Sequence, residues 1–145
     1  MTTTAQYRVT VSNIGEVYAG DSAAQARANF DHYKAQSLAN EGRAAGEAVT
    51  LWEHGHPIRE LAPVVYDLEL TDTYAGETNY SWVKRETLIY ATEPTDRRLI
   101  LDAKRALGLT GTRCTISVDG ADTGATIQLD PRGLCQRAFI TRRDV

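Results

Sequence analysis

The chain has 145 residues, 42% of them hydrophobic and 24% charged, with a formal net charge of −3. That is ordinary for a soluble globular protein of one compact domain or two small αβ halves, and no apolar run approaches the roughly 20 residues that span a bilayer. Two cysteines, Cys114 and Cys135, are too few for a disulfide scaffold and lack zinc-ligand spacing; the start MTTTAQYRV shows neither a basic n-region nor an apolar h-region, so the expectation is a cytoplasmic protein with reduced thiols.

In chain order, QYRVTVSNI (Gln6 to Ile14) alternates Tyr7, Val9 and Val11 with polar residues, the pattern of a half-buried strand. Gly15 predicts a bulge or tight turn before a second extended piece, Glu16 to Ala19. Ser22 and Gln25 fit an S-x-x-Q capping box, and Ala23, Ala26, Phe30, Tyr33 and Ser37 or Leu38 form a stripe at helical spacing. Asn40-Glu41-Gly42 predicts its end, with Gly42 in the left-handed position. The period then falls to two. Glu47 to Glu53 and Ile58 to Leu61 flank a hairpin turn, His54-Gly55-His56-Pro57.

Val64, Tyr66, Leu68 and Leu70 alternate in a further strand. TDTYAGETN (71–79) is polar without apolar periodicity and predicts a loop, and YSWVKRETLIYA (80–91) predicts a long strand. Thr95 is the N-cap of a helix from Asp96 to Leu107, closed by Gly108. Three strands follow, Thr112–Val118, Ala125–Leu129 and Leu134–Thr141, linked by the turn segments DGADTG and DPRG. The expected fold is α+β, with antiparallel sheets and two helices, strands–helix–strands arranged twice. If the domain divides, the units are 1–71 and 80–145, joined by the 71–79 loop.

Charge is unevenly spread along the chain. Residues 1–96 hold seven basic and fourteen acidic side chains, and residues 97–145 hold nine basic and five acidic. Such an asymmetry points to an anionic partner at one end rather than to a fold requirement. On the second helix, Arg97, Arg98, Lys104 and Arg105 share one sector of about 120°, opposite Leu99, Ile100, Ala103, Ala106 and Leu107. Arg97 and Arg98 stand in the first turn, where the helix dipole disfavours cations, which an anionic ligand would explain. Leu101 falls inside the basic sector and should be exposed. Arg113 on the terminal strands adds a further cation, and Tyr80, Trp82 and Tyr90 on the long strand supply rings for stacking a base. The plain alternative is a solvated helix face with scattered surface arginines.

Other chemistry finds little footing. His54-Gly55-His56 supplies at most two or three metal ligands, so neither metal nor cofactor is expected. Cys114 and Cys135 sit in apolar alternation and read as buried thiols. No nucleotide-loop, zinc-protease, esterase or kinase motif occurs, and no carboxylate pair stands out by spacing, so the chain reads as a non-enzyme. The acidic first part disfavours a long polyanion relative to a compact phosphorylated ligand.

GRAAGEAVTL (42–51), DAKRALGLTGTRC (102–114) and YSWVKRETL (80–88) together resemble short uncharacterised proteins of phages and mobile elements. The resemblance covers most of the chain in two blocks and assigns no residue a role. What it implies is a counter-defence role in the host bacterial cytoplasm: sequestering a nucleotide-type immune signal, or occluding a host defence effector in the manner of an anti-CRISPR protein. The expectation is non-catalytic binding of a small phosphorylated ligand through Arg97, Arg98, Lys104, Arg105 and Arg113, with Tyr80, Trp82 or Tyr90 stacking. Open edge strands favour a homodimer. The rivals are an inhibitor that uses the acidic half, around Asp67, Glu69 and Asp72, and a nucleic-acid accessory protein; a membrane partner is not expected.

Overall fold

A computed structural model describes residues 5–74, 77–119 and 126–143. The fold is α+β. Its described strands form two antiparallel sheets, and there are two α-helices among the described residues. Contacts divide the chain into two units. The described residues up to Val64, with Ile89–Thr92, make the first; Val65–Leu88 and the described residues from Glu93 onward make the second. Among the described residues, no helix is long and apolar enough to cross a membrane.

In the first unit, β1 (Tyr7–Val11) and β2 (Gly15–Gly20) form a hairpin, and β3 (Val49–Glu53) and β4 (His56–Leu61) form another. The sheet order is β2-β1-β3-β4, so the two hairpins join through their inner strands. The helix α1 (Ala23–Leu38) connects them and lays Ala26 and Phe30 on Val9, Val11, Val49 and Leu51, all buried in one cluster. Ser22 caps α1 as expected, its Oγ accepting from the Gln25 amide at 3.2 Å. At the other end Asn40 takes the closing left-handed conformation, with φ +58°, and Gly42, two residues on, is left-handed as expected at φ +62° but outside the helix ending. The Asn40 amide donates to Ser37 O and the Glu41 amide to Gln36 O, the paired bonds of a Schellman ending. Asparagine tolerates that conformation, and Gly42 opens a short 3₁₀ turn, Gly42–Ala44. Ser37 is fully buried because its hydroxyl donates to Glu47 O at 2.7 Å, tying the helix to the turn that follows. The hairpin loop is two residues long, His54-Gly55, both at positive φ; His56 and Pro57 belong to β4. Most of β4 is exposed, and only Leu61 at its end is buried.

The second unit repeats the logic with one more strand. β5 (Val64–Tyr74) and β6 (Glu77–Tyr90) are sheet neighbours, α2 (Asp96–Ala106) follows, and β7 (Cys114–Asp119), β8 (Thr126–Pro131) and β9 (Gln136–Arg142) form a meander. β9 closes back on β5, which gives the order β6-β5-β9-β8-β7. Leu68, Leu70, Leu129, Ala138 and Ile140 are buried on alternate positions. The predicted 71–79 loop is instead mostly strand, with Thr71 and Asp72 paired to Arg137 and Gln136. Thr71 lies on the sheet face of Glu69 and Arg137, both polar, and polarity alone does not break a strand. Contacts put the first division between units at Val64. The last turn is Arg132–Cys135, and Pro131 ends β8. The predicted DGADTG turn lies outside the described residues apart from Asp119, in β7.

Thr95 and Gly108 frame α2 as expected. The Thr95 hydroxyl accepts from the Arg98 amide at 3.2 Å. Gly108 sits at φ +75°, where its amide and that of Leu109 donate to Arg105 O and Lys104 O. Leu99, Ala103 and Leu107 are buried, and Leu101 is 52% exposed.

Candidate functional site

The sequence-level charge asymmetry does not survive folding. Counted by structural unit, the first holds five basic and seven acidic residues, and the second eleven and twelve. The arginines at the end of the chain meet carboxylates from β5, from β8 and from the segment after β6. Arg143 chelates Asp67 through Nη2 at 2.6 Å and Nε at 3.1 Å, Arg142 meets Glu93 at 3.0 Å, and Arg137 meets Asp130 at 2.9 Å. Within this unit Arg85 also pairs with Glu69 at 3.1 Å.

Two carboxyl and phenol groups register this arrangement. Burial disfavours the charged form of Asp130, but hydrogen bonds from Arg137 and Gln128 outweigh that and hold its carboxyl below the usual value of 3.8. Tyr66 is pushed up to about 12, first by burial and then by its 2.6 Å hydrogen bond to the Glu93 carboxylate.

Once those pairs are set aside, the basic residues of 97–143 that form no ion pair with a described residue are Arg97, Lys104, Arg105, Arg113 and Arg132. Arg97 and Lys104 lie two helical turns apart on one side of α2. With Ile100, Leu101 and Ile116 of β7 they line an open groove of about 420 Å³, within the roughly 300–1,000 Å³ range of small-ligand sites. Leu101 and Ile116 are 52% and 51% exposed, so the groove has an apolar surface with two cations on one wall that form no ion pair among the described residues. Such a surface suits a ligand with an anionic group on a flat apolar body.

The remaining predicted residues disperse. Arg98 is exposed and contacts Asp102 at 3.6 Å; Arg105 is exposed and does not line the groove. Arg113 precedes β7, where its carbonyl accepts from the Arg132 amide, and alternation sets it on the opposite sheet face from Ile116. Tyr90 is only 9% exposed and belongs with the first unit, so it offers no stacking face. Tyr80 and Trp82 lie in β6, and their side chains fall outside the described residues. Ile116 was the residue that alternation missed. It points to the sheet's apolar face, as expected, but on an edge strand that face is uncovered. Leu101, an apolar residue in a basic sector, was the available signal.

The cysteines differ from expectation. Both are free, but Cys135 is exposed and Cys114 half-buried. Burial raises the Cys114 thiol above its ordinary value, with nearby Lys104 opposing. Among the described residues, no three His, Cys, Asp or Glu side chains gather as a metal ion would require. A second groove, on the first unit, is lined by Arg8, Thr10, Glu16 and Trp52; Arg8 there pairs with Glu16 at 3.7 Å and the Trp52 indole donates to Thr10 at 2.9 Å. Its one cation is thus matched by a carboxylate in the same groove.

No family model, curated protein or solved structure matches the chain.

Proposed function

We propose that the protein binds a small phosphorylated ligand of the nucleotide class, without transforming it, in the groove between α2 and β7. The observation that carries this reading is the pair Arg97 and Lys104. Neither has a carboxylate partner among the described residues, and both flank the exposed Leu101 and Ile116. Phosphate would engage the cations through charge-assisted hydrogen bonds, and the apolar floor would receive a base. The groove lining pairs two cations with apolar side chains, a combination suited to recognition, in which the Lys104 amine serves as a charge. In the phage setting that the sequence resembles, such binding sequesters an immune signal. The rival inhibitor reading loses support, because Asp67 and Glu69 are already held by Arg143 and Arg85.

Titration calorimetry against cyclic di- and trinucleotides, ADP-ribose derivatives and inorganic phosphate tests this. At least one nucleotide should bind, more tightly than phosphate alone. Replacing both cations, Arg97→Glu with Lys104→Glu, should weaken it by roughly a hundredfold or more, since each charged hydrogen bond contributes about 1.5–3 kcal/mol. Binding that the double variant leaves unchanged, or no binding across the panel, overturns the reading.

A further inference from the structure

The four sheet edges differ in how they discourage pairing with other chains. β4 carries Pro57 and an extra residue at Ile58, β2 carries an extra residue at Val17, and β6 carries Lys84, Arg85 and Glu86 in succession. These are the usual edge-blocking devices. β7 has none. Its six residues, CTISVD, pair with β8 one for one from Cys114↔Pro131 to Asp119↔Thr126, without a bulge or a proline.

The backbone of β7 also has a defined open side. The Arg113 carbonyl accepts from the Arg132 amide at 2.8 Å, so Arg113 faces β8. In an antiparallel ladder successive residues alternate, which turns the N–H and C=O groups of Cys114, Ile116 and Val118 toward the unoccupied edge. Ile116 and Val118 are 51% and 61% exposed on the face they share with buried Leu129 and Ile127. An apolar face thus runs out to an unpaired edge.

We propose that β7 pairs antiparallel with β7 of a second copy, about a two-fold axis at Ile116, to form a homodimer with one continuous sheet. The sequence is self-complementary in this register. Ile116 meets Ile116, Cys114 meets Val118, and Arg113 falls across from Asp119 at both ends, so opposite formal charges coincide twice. Moving the axis by one residue to either side loses the Arg113–Asp119 match. Six residues a side fall short of a standard interface of about 1,600 Å², so the dimer dissociates on dilution. The pairing involves the protein alone and stands whether or not the groove binds a nucleotide.

Sedimentation velocity without ligand provides the test. The mass should rise with concentration from the 16.0 kDa monomer toward twice that value. Val118→Pro removes an amide that faces the open edge and leaves the β7–β8 ladder bonded, so the fold should persist by circular dichroism. Dimerisation should weaken roughly tenfold or more. A second variant works independently: Val118→Cys in a Cys135→Ser background sets a thiol opposite the other copy's Cys114. The expected Cα spacing of about 5.5 Å permits a disulfide under mild oxidant. A mass that stays monomeric across the soluble range, or a dimer that Val118→Pro leaves intact, overturns the proposal. A dimer that the introduced thiol does not trap overturns the register at Ile116.

Discussion

Arg137 is the keystone of the polar face of the second sheet, and its removal should be measurable in two ways. From β9, its Nε donates to Asp130 of β8 at 2.9 Å and its Nη1 to Thr78 of β6 at 3.2 Å. It therefore ties both flanks of the sheet together. Arg137→Gln keeps much of the aliphatic stem and removes the charge. A partly buried charged hydrogen bond contributes about 1.5–3 kcal/mol. Asp130 is 34% exposed and keeps its 2.9 Å bond from Gln128, which favours a loss near 2 kcal/mol. That should lower a urea midpoint by about 1 M, and hydrogen exchange of β8 and β9 amides should report the loss in this unit.

The pH dependence supplies the sharper check. Asp130 has a folded pKa below its ordinary value of 3.8, so its contribution is complete above that value and disappears as pH falls through the lowered one. The difference between wild type and Arg137→Gln should be constant near neutrality and shrink below about pH 4. Equal midpoints at neutral pH would refute the reasoning. So would a difference that persists undiminished to about pH 2, since Arg137 would then act through packing or Thr78 alone.

Two further outcomes follow from local geometry. Gly108→Ala should destabilise by about 1 kcal/mol in denaturant titration, because Gly108 holds φ +75° while an added Cβ would meet nothing within 4 Å; an unchanged midpoint would show that the α2 ending relaxes freely. Alkylation near pH 8 followed by peptide mapping should modify exposed Cys135 well before half-buried Cys114, whose thiol burial has pushed up. Equal rates would contradict that placement.

Much of the fold was legible because it is locally encoded. The Ser22 and Thr95 caps, the Gly108 ending and the alternation of Val9, Val11, Leu68 and Leu70 depend on neighbours a few residues away. The segment 71–79 was misread because Thr71 and Asp72 are satisfied by Gln136 and Arg137, more than sixty positions distant. Asn40 displaced Gly42 at the end of α1 because two residue types there tolerate positive φ.

The site divides the same way. The amphipathic face of α2, with Arg97 and Lys104 on one side and Leu99 and Ala103 buried on the other, was fixed by a helical period that the sequence displays. Which cations remain available was not. Arg143 is spent on Asp67 because β9 lies beside β5, and Arg142 on Glu93, a residue some fifty positions away between β6 and α2. Ile116 is exposed only because β7 is the last strand of its sheet. By itself the sequence determined elements, caps and faces, which depend on short-range sterics and periodicity. Strand order decided charge pairing and edge exposure, because both depend on which distant segments become neighbours.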